Sequence, residues 1–140
     1  ALVTDLEQAC GSIGELVQQI RKRVPEVVAE HRQRLLDRVA KVLETHQARL
    51  DDNDVIREVA LIADRSDISE ELVRLESHVE QFRSLLHDTA PGRSLDFLAQ
   101  ELGREANTIG SKSVDVAIAH AVVDLKSQVE RIREQAANIE

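Results

Sequence analysis

The stretch "DISEELVRLESHVEQFRSLL", Asp67 to Leu86, decides the fold. Placed on a helix at ~100° per residue, Ile68, Leu72, Leu75, Val79, Phe82 and Leu86 form one apolar stripe. Their 4-3-4-3-4 spacing is that of a helix packed against a partner. Asp67, Glu71, Arg74 and His78 fall on a second stripe about a quarter turn away, at the border of the buried face. Glu70 and Ser77 point further outward, and Glu76 takes the other flank of the apolar stripe. The open question is whether the acidic shoulder only shows charge to water or holds something.

Outward from this segment the pattern stays helical. The chain has two prolines and no alternating strand-like runs bounded by turns. The expectation is an all-α protein, an antiparallel bundle of about four to six amphipathic helices, some of them long, packed into an oligomer. A first helix runs from about Val3 to Val24, weakened by Gly11 and Gly14. Pro25 suits the first turn of a second, which carries Val28, Leu35, Val39 and Val42 or Leu43 to about His46. One continuous kinked helix is the alternative. "LDDND", Leu50 to Asp54, reads as a polar connection before a short helix through Val55, Val59 and Ile62.

Asp67 with Glu70 three residues on has the form of an N-cap box, starting the helix that reaches Leu86. "HDTAPGRS", His87 to Ser94, is the clearest loop, with Ser94 placed to cap the next helix, Leu95 to about Ile109. Gly110 breaks or bends that helix. Ser113 or Ser111 then caps a last one on Val114, Ile118, Val122, Leu125, Val129 and Ile132. The division is one helical domain over 1–140, in segments 1–50, 51–87, 88–94 and 95–140.

Composition narrows the function. With 140 residues and 42% apolar content the chain can fill a core. No apolar run approaches the ~18 residues of a membrane span. A lone Cys10 excludes an internal disulfide and any C-x-x-C motif, which fits a reducing cytoplasm. Aromatic residues are 1% of the chain, Phe82 and Phe97, too few for a base-stacking platform. The net charge of −8 repels a phosphate backbone unless a cation intervenes. Acid concentrates in the middle: residues 51–90 hold four Lys/Arg against eleven Asp/Glu, while 1–50 hold eight against seven. "GSIG" at Gly11 is too short for a phosphate loop, so no nucleotide cofactor is expected.

The same projection of "LDFLAQELGREANTIGSKS", Leu95 to Ser113, gives Leu95, Leu98, Leu102, Ala106 and Ile109 as a core stripe. Glu101, Glu105 and Lys112, with Thr108 nearby, lie less than a quarter turn from it. If the two core stripes pack together, Glu71 and His78 from one side meet Glu101 and Glu105 from the other across a groove. Carboxylates with one imidazole suit Mn²⁺ or Mg²⁺. Such an ion would admit a phosphate to an acidic surface and activate water for phosphodiester cleavage. The alternative is a solvated helix shoulder of i,i+3 and i,i+4 ion pairs, with His78 as a hydrogen-bonded, partly buried histidine. His31, His46, His87 and His120 have no comparable acidic neighbours and read as surface residues.

"DISEELVRLESHVEQF", "GRSLDFLAQELGREANTIGSKS" and "LKSQVERIREQAANIE" together resemble the C-terminal half of the YicC/YloC-like family of stress-associated bacterial proteins. "VPEVVAEHRQRLLDRV" and "IREVALIADRSDI" are similar to the helices that precede it there, so the likeness covers essentially the whole chain. The resemblance implies a divalent-metal-dependent endoribonuclease acting on RNA in the cytoplasm, assembled as a hexamer around a channel. It also implies a further N-terminal domain, opening on a pattern like "MTGFGR", that this chain lacks, and a helical half inactive on its own. Carried onto these positions, Glu71, His78, Glu101 and Glu105 are the metal or general-base candidates. Arg74, Arg104, Asn107 and Lys112 are the RNA-phosphate candidates, because the guanidinium fork and the ammonium point charge both suit phosphate oxygens.

Gly103 departs from the family pattern, which has a polar residue at that place in "QELGREANT", and Ala117 to His120 is more apolar than usual. Two noncatalytic readings stand beside the enzyme. In one, the helices are an oligomerisation module; in the other, the protein is an adaptor that presents RNA to another nuclease.

Overall fold

The computed structural model describes residues 2–46, 51–87, 92–113 and 115–138. They form five helices: α1 (Leu2–His46), α2 (Asp52–Arg65), α3 (Ser69–Leu85), α4 (Gly92–Lys112) and α5 (Val116–Ala136). No strand occurs among the described residues. The all-α expectation holds, and the helix number falls inside the expected range.

Helices α1, α3, α4 and α5 close a ring in which α1 packs on α3, α3 on α4, α4 on α5 and α5 on α1. The middle of α1, the C-terminal end of α4 and the first residues of α3 and α5 meet at one end of this ring. The helices therefore alternate up and down. Every residue of the stripe Ile68, Leu72, Leu75, Val79, Phe82, Leu86 is buried, as is every residue of the stripe Leu95, Leu98, Leu102, Ala106, Ile109. Leu6, Ile13, Val17 and Ile20 of α1 and Ile118, Val122, Leu125, Val129 and Ile132 of α5 complete the core.

Several boundaries differ from the sequence expectation. Residues 2–46 are one helix of 45 residues, with Pro25 inside it, rather than two helices meeting there. At ~1.5 Å per residue it is roughly 68 Å long, so its outer half leaves the four-helix core. In that half Leu35, Val39 and Leu43 are only half-buried and Val42 is exposed. Helix α2 folds back on α1 and contains no buried residue. It begins at Asp52, inside the segment read as a connection, because Asp51 caps it by accepting the Asn53 N–H. Asp52 and Asp54 then sit favourably in its first turn.

At the start of α3, Asp67 Oδ1 accepts the backbone N–H and the hydroxyl of Ser69, while Glu70 turns to Arg74 rather than closing a box. Helix α4 begins at Gly92, so Ser94 lies within it and does not cap it; residues 88–91 of the expected loop lie outside the described residues. Gly110 does not break α4, which continues to Lys112. A Cβ there would stand 3.1 Å from Val122 Cγ1, so the missing side chain allows α5 to approach α4 closely.

The cap of α5 is Asp115, not Ser111 or Ser113: its carboxylate accepts the Ile118 N–H at 3.0 Å. The same carboxylate takes a two-pronged contact from Arg23, Nε to Oδ2 at 3.0 Å and Nη2 to Oδ1 at 2.9 Å, tying α5 to α1. Arg23 also engages Glu26 and Glu30. The Arg23 guanidinium, followed by the backbone N–H groups, holds the Asp115 carboxyl at about 2. A carboxyl depressed on folding stabilises the fold above its unfolded pKa of about 3.9, and this is lost as pH falls toward 2. Asp115→Ala is expected to destabilise the fold by about 1–2 kcal/mol in urea unfolding at pH 7. Asp115→Asn, which keeps a cap acceptor, should lose less, and the wild-type advantage over both should shrink below pH 4.

Candidate metal centre on the α3–α4 seam

Helices α3 and α4 run antiparallel with their apolar stripes facing, so their polar shoulders face as well. From the end of the bundle where α4 stops, the seam reads as a ladder. Lys112 Nζ reaches Glu71 Oε1 at 2.7 Å and the Asp67 carbonyl at 3.4 Å. Next, Arg74 Nε donates to Glu105 Oε1 at 2.9 Å, with Nη1 on Glu70 at 3.3 Å and Nη2 3.6 Å from Glu71. Below it, His78, Glu101 and Glu105 each present a ligand atom, all within 4.8 Å of one another.

Of the four expected ligands, three are therefore brought together, and Glu71 is not among them. Glu71 and Glu105 are the buried charged residues of the described chain, 4% and 5% exposed. Each is held by a cation from the other helix: Lys112 on α4 holds Glu71, and Arg74 on α3 holds Glu105. Burial pushes the Glu71 carboxyl upward, but the Lys112 ammonium, its own backbone N–H and Arg74 outweigh this and leave it below the usual carboxylate range. The Glu105 hydrogen bond, with Glu70 and Glu71 behind it, raises the Arg74 guanidinium and keeps it charged.

Two atoms at this seam are buried without a hydrogen-bond partner among the described residues, Glu71 Oε2 and His78 Nδ1. A buried polar atom left unpaired costs about 1–3 kcal/mol, a cost that a bound group or water satisfying these two atoms would remove. One nitrogen and two carboxylate oxygens form a donor set for Mn²⁺ or Mg²⁺. Such an ion takes about six donors, so three from the protein would leave room for water or a substrate oxygen.

The four residues expected at phosphate divide into two kinds. Arg74 and Lys112 are occupied by carboxylates. Arg104 is exposed, 3.7 Å from Glu101, and Asn107 is exposed. The sequence reading did not anticipate that Lys112 and Arg74 serve as counter-ions to the two buried carboxylates. Their positions on the shoulder stripes carried that signal, because a cation facing a buried acid across a packed seam is its nearest partner. On the other flank of α3, Glu76 pairs with Arg21 of α1 at 3.0 Å, which joins that edge to the first helix. His31 is half-buried rather than a surface residue and lines an apolar cavity of about 180 Å³ with Val24, Val27, Ile62, Ile68 and Ile118.

Fold and site together define an antiparallel helical bundle with a His–Glu–Glu cluster on one interhelical seam. Residues 20–140 match the family described as "Endoribonuclease YicC-like, C-terminal", and the chain belongs to that family. It is 41% identical over 140 residues to the "Probable endoribonuclease YicC" of Clostridioides difficile (strain 630), a match covering 99% of this chain and 47% of that protein. To the protein of the same name from Haemophilus influenzae (strain ATCC 51907 / DSM 11121 / KW20 / Rd) it is 40% identical over 136 residues, 96% of this chain and 46% of that protein. The chain thus spans about half the length of these curated relatives.

Lys112→Ala leaves the Glu71 charge buried and weakly compensated. Lys112 is itself 39% exposed, so the expected loss is about 1–3 kcal/mol at pH 7 rather than the larger cost of a fully buried pair. Without Lys112, burial raises the Glu71 carboxyl, so the deficit should be largest at neutral pH and fade as Glu71 takes up a proton at lower pH. Paired urea unfolding curves at pH 7 and pH 4 measure this; an equal deficit at both would place the cost in packing rather than charge.

Proposed function

We propose that this chain is the helical, metal-holding part of an endoribonuclease that cleaves RNA phosphodiester bonds with a divalent cation, Mn²⁺ or Mg²⁺. The observation that carries the reading is the convergence of ligand atoms of His78, Glu101 and Glu105 within 4.8 Å of one another. The names of the relatives, both probable endoribonucleases, supply the substrate class.

In this mechanism His78, Glu101 and Glu105 hold the ion, which when bound supplies Lewis-acid polarisation of the scissile phosphate and activation of the attacking water. Arg104, on the exposed edge beside Glu101, and Asn107 on the next turn meet the RNA backbone as it crosses α4. Arg74 faces the same opening. Glu71 takes no ligand role here: with Lys112 it ties α3 to α4 two turns above His78. Glu101, the more exposed of the two cluster carboxylates, is the candidate general base. The net charge of −8 makes metal a precondition for RNA to approach, since the cation and the arginines together offset the acidic face.

The reading extends to assembly. Val42, Ile56 and Leu61 are exposed on the projecting hairpin of α1 and α2, which supports packing into a homo-oligomer, a hexamer in the full-length cytoplasmic protein.

Full-length protein stripped with EDTA and reloaded with Mn²⁺ or Mg²⁺ is expected to cut a structured RNA, and EDTA to abolish cutting. Glu101→Gln and His78→Ala should each lower kcat by roughly 10²-fold or more. Undiminished cleavage by these variants would move the reaction elsewhere. No cleavage with any metal by an intact oligomer would leave the scaffold or adaptor role.

A further inference from the structure

Arg74 occupies a position that the metal reading alone does not explain. Its guanidinium spans Glu105, Glu70 and Glu71, and its strongest contact, Nε to Glu105 Oε1 at 2.9 Å, is with a carboxylate of the candidate metal cluster. Arg74 is also 45% exposed, so the other side of the fork opens to solvent. A buried carboxylate that loses its cation is costly, and Glu105 has two candidates for that partner, the guanidinium and a divalent ion. Both compete for the same few oxygen lone pairs.

We infer that Arg74 is a metal-released phosphate ligand: in the metal-free protein it neutralises Glu105, and loading of the cation frees its fork to turn outward and grip the RNA backbone beside the scissile bond. The inference rests on the metal reading proposed above and adds to it an order of events, ion first and RNA second. The exchange is balanced in charge, since the ion takes over Glu105 as the guanidinium moves onto a phosphate. The released group needs little travel, because Arg74 lies one helical turn from His78 on α3. Lys112 does not share this behaviour: its partner Glu71 lies outside the cluster, so the ion leaves that pair intact.

The test is a titration of the full-length protein with Mn²⁺ alone, followed by calorimetry or the electron paramagnetic resonance of free Mn²⁺, on wild type, Arg74→Ala, Arg104→Ala and His78→Ala. With its competitor gone, Arg74→Ala is expected to bind Mn²⁺ at least threefold more tightly than wild type. Arg104→Ala removes the same charge from beside Glu101 without touching Glu105, so it should tighten binding by clearly less. A short single-stranded RNA should gain affinity when wild type is loaded with Mn²⁺, and Arg74→Ala should lose at least fivefold of that gain, with Arg74→Lys recovering part of it.

Thermal melts with and without Mn²⁺ confirm that each variant folds, and Mn²⁺ should raise the Tm of Arg74→Ala more than that of wild type. Equal tightening in Arg74→Ala and Arg104→Ala would reduce the effect to general electrostatics and overturn the inference. Unchanged or weaker Mn²⁺ binding by Arg74→Ala, while His78→Ala loses it, would overturn the inference and leave the metal site standing. Mn²⁺ binding unaffected by His78→Ala would remove the site itself.

Discussion

The antiparallel packing of the α3 stripe on the α4 stripe is the constraint on which the rest depends. Leu72, Leu75, Val79 and Phe82 on one helix and Leu95, Leu98, Leu102 and Ile109 on the other are buried. Each contributes about 1.5–3 kcal/mol of hydrophobic stabilisation. That sum exceeds any single electrostatic penalty at the seam, so apolar contact fixes the register and the charged shoulders must accept the neighbours it assigns. Glu71, Arg74 and His78 are on the border of the packed face for the same reason that Leu72 and Leu75 are in its centre: they are one or three residues away on a helix.

The electrostatic consequence is a seam in which each buried carboxylate meets a cation of the facing helix. Toward the end of α4, Glu71 has an ammonium at 2.7 Å and a guanidinium at 3.6 Å. Two turns further down α3, His78, Glu101 and Glu105 crowd together, and Arg74 reaches only Glu105 among them. A seam shaped only for stability could replace buried Glu105 with an apolar residue, which is often neutral or stabilising. Local departures from the rules of a stable core concentrate at functional sites. Here the departure coincides with an orphaned imidazole nitrogen.

How much of this was legible in the sequence follows from the range of each interaction. The stripes on α3, α4 and α5 read directly because burial repeats with the helix period, and every residue assigned to the α3 and α4 stripes is buried. Pro25 could mean a helix start or a helix interior. Proline removes one donor and crowds the preceding turn, and whether the helix survives depends on tertiary contacts on either side, here Val24 and Val27. The α5 cap was assigned to a serine when Asp115 makes it; the competing argument is a charge partner 92 residues away, Arg23, which no local pattern reveals. At the seam, helical projection placed Glu71, His78, Glu101 and Glu105 on facing borders. It could not separate Glu71 from the other three, because that depends on the height of Lys112 along α4 once the helices are in register.

The projecting hairpin and the seam are linked by chain geometry. Helix α2 has no buried residue and packs mainly on α1, and a 14-residue helix with so little cover is marginal by itself. It is the part of the described fold most prone to local opening. Its last turn runs through Ser66 and Asp67 directly into the first turn of α3, where Asp67 holds Ser69 and offers its carbonyl to Lys112. Lys112 in turn holds Glu71. Whatever fixes the hairpin therefore also steadies the upper rung of the ladder. The lower rung, with His78 and Glu101, is insulated from it by two turns of α3 packed on buried Leu75 and Val79. The cluster thus sits on the buried, packed part of the fold, and the segment that joins α2 to α3 carries none of its ligands.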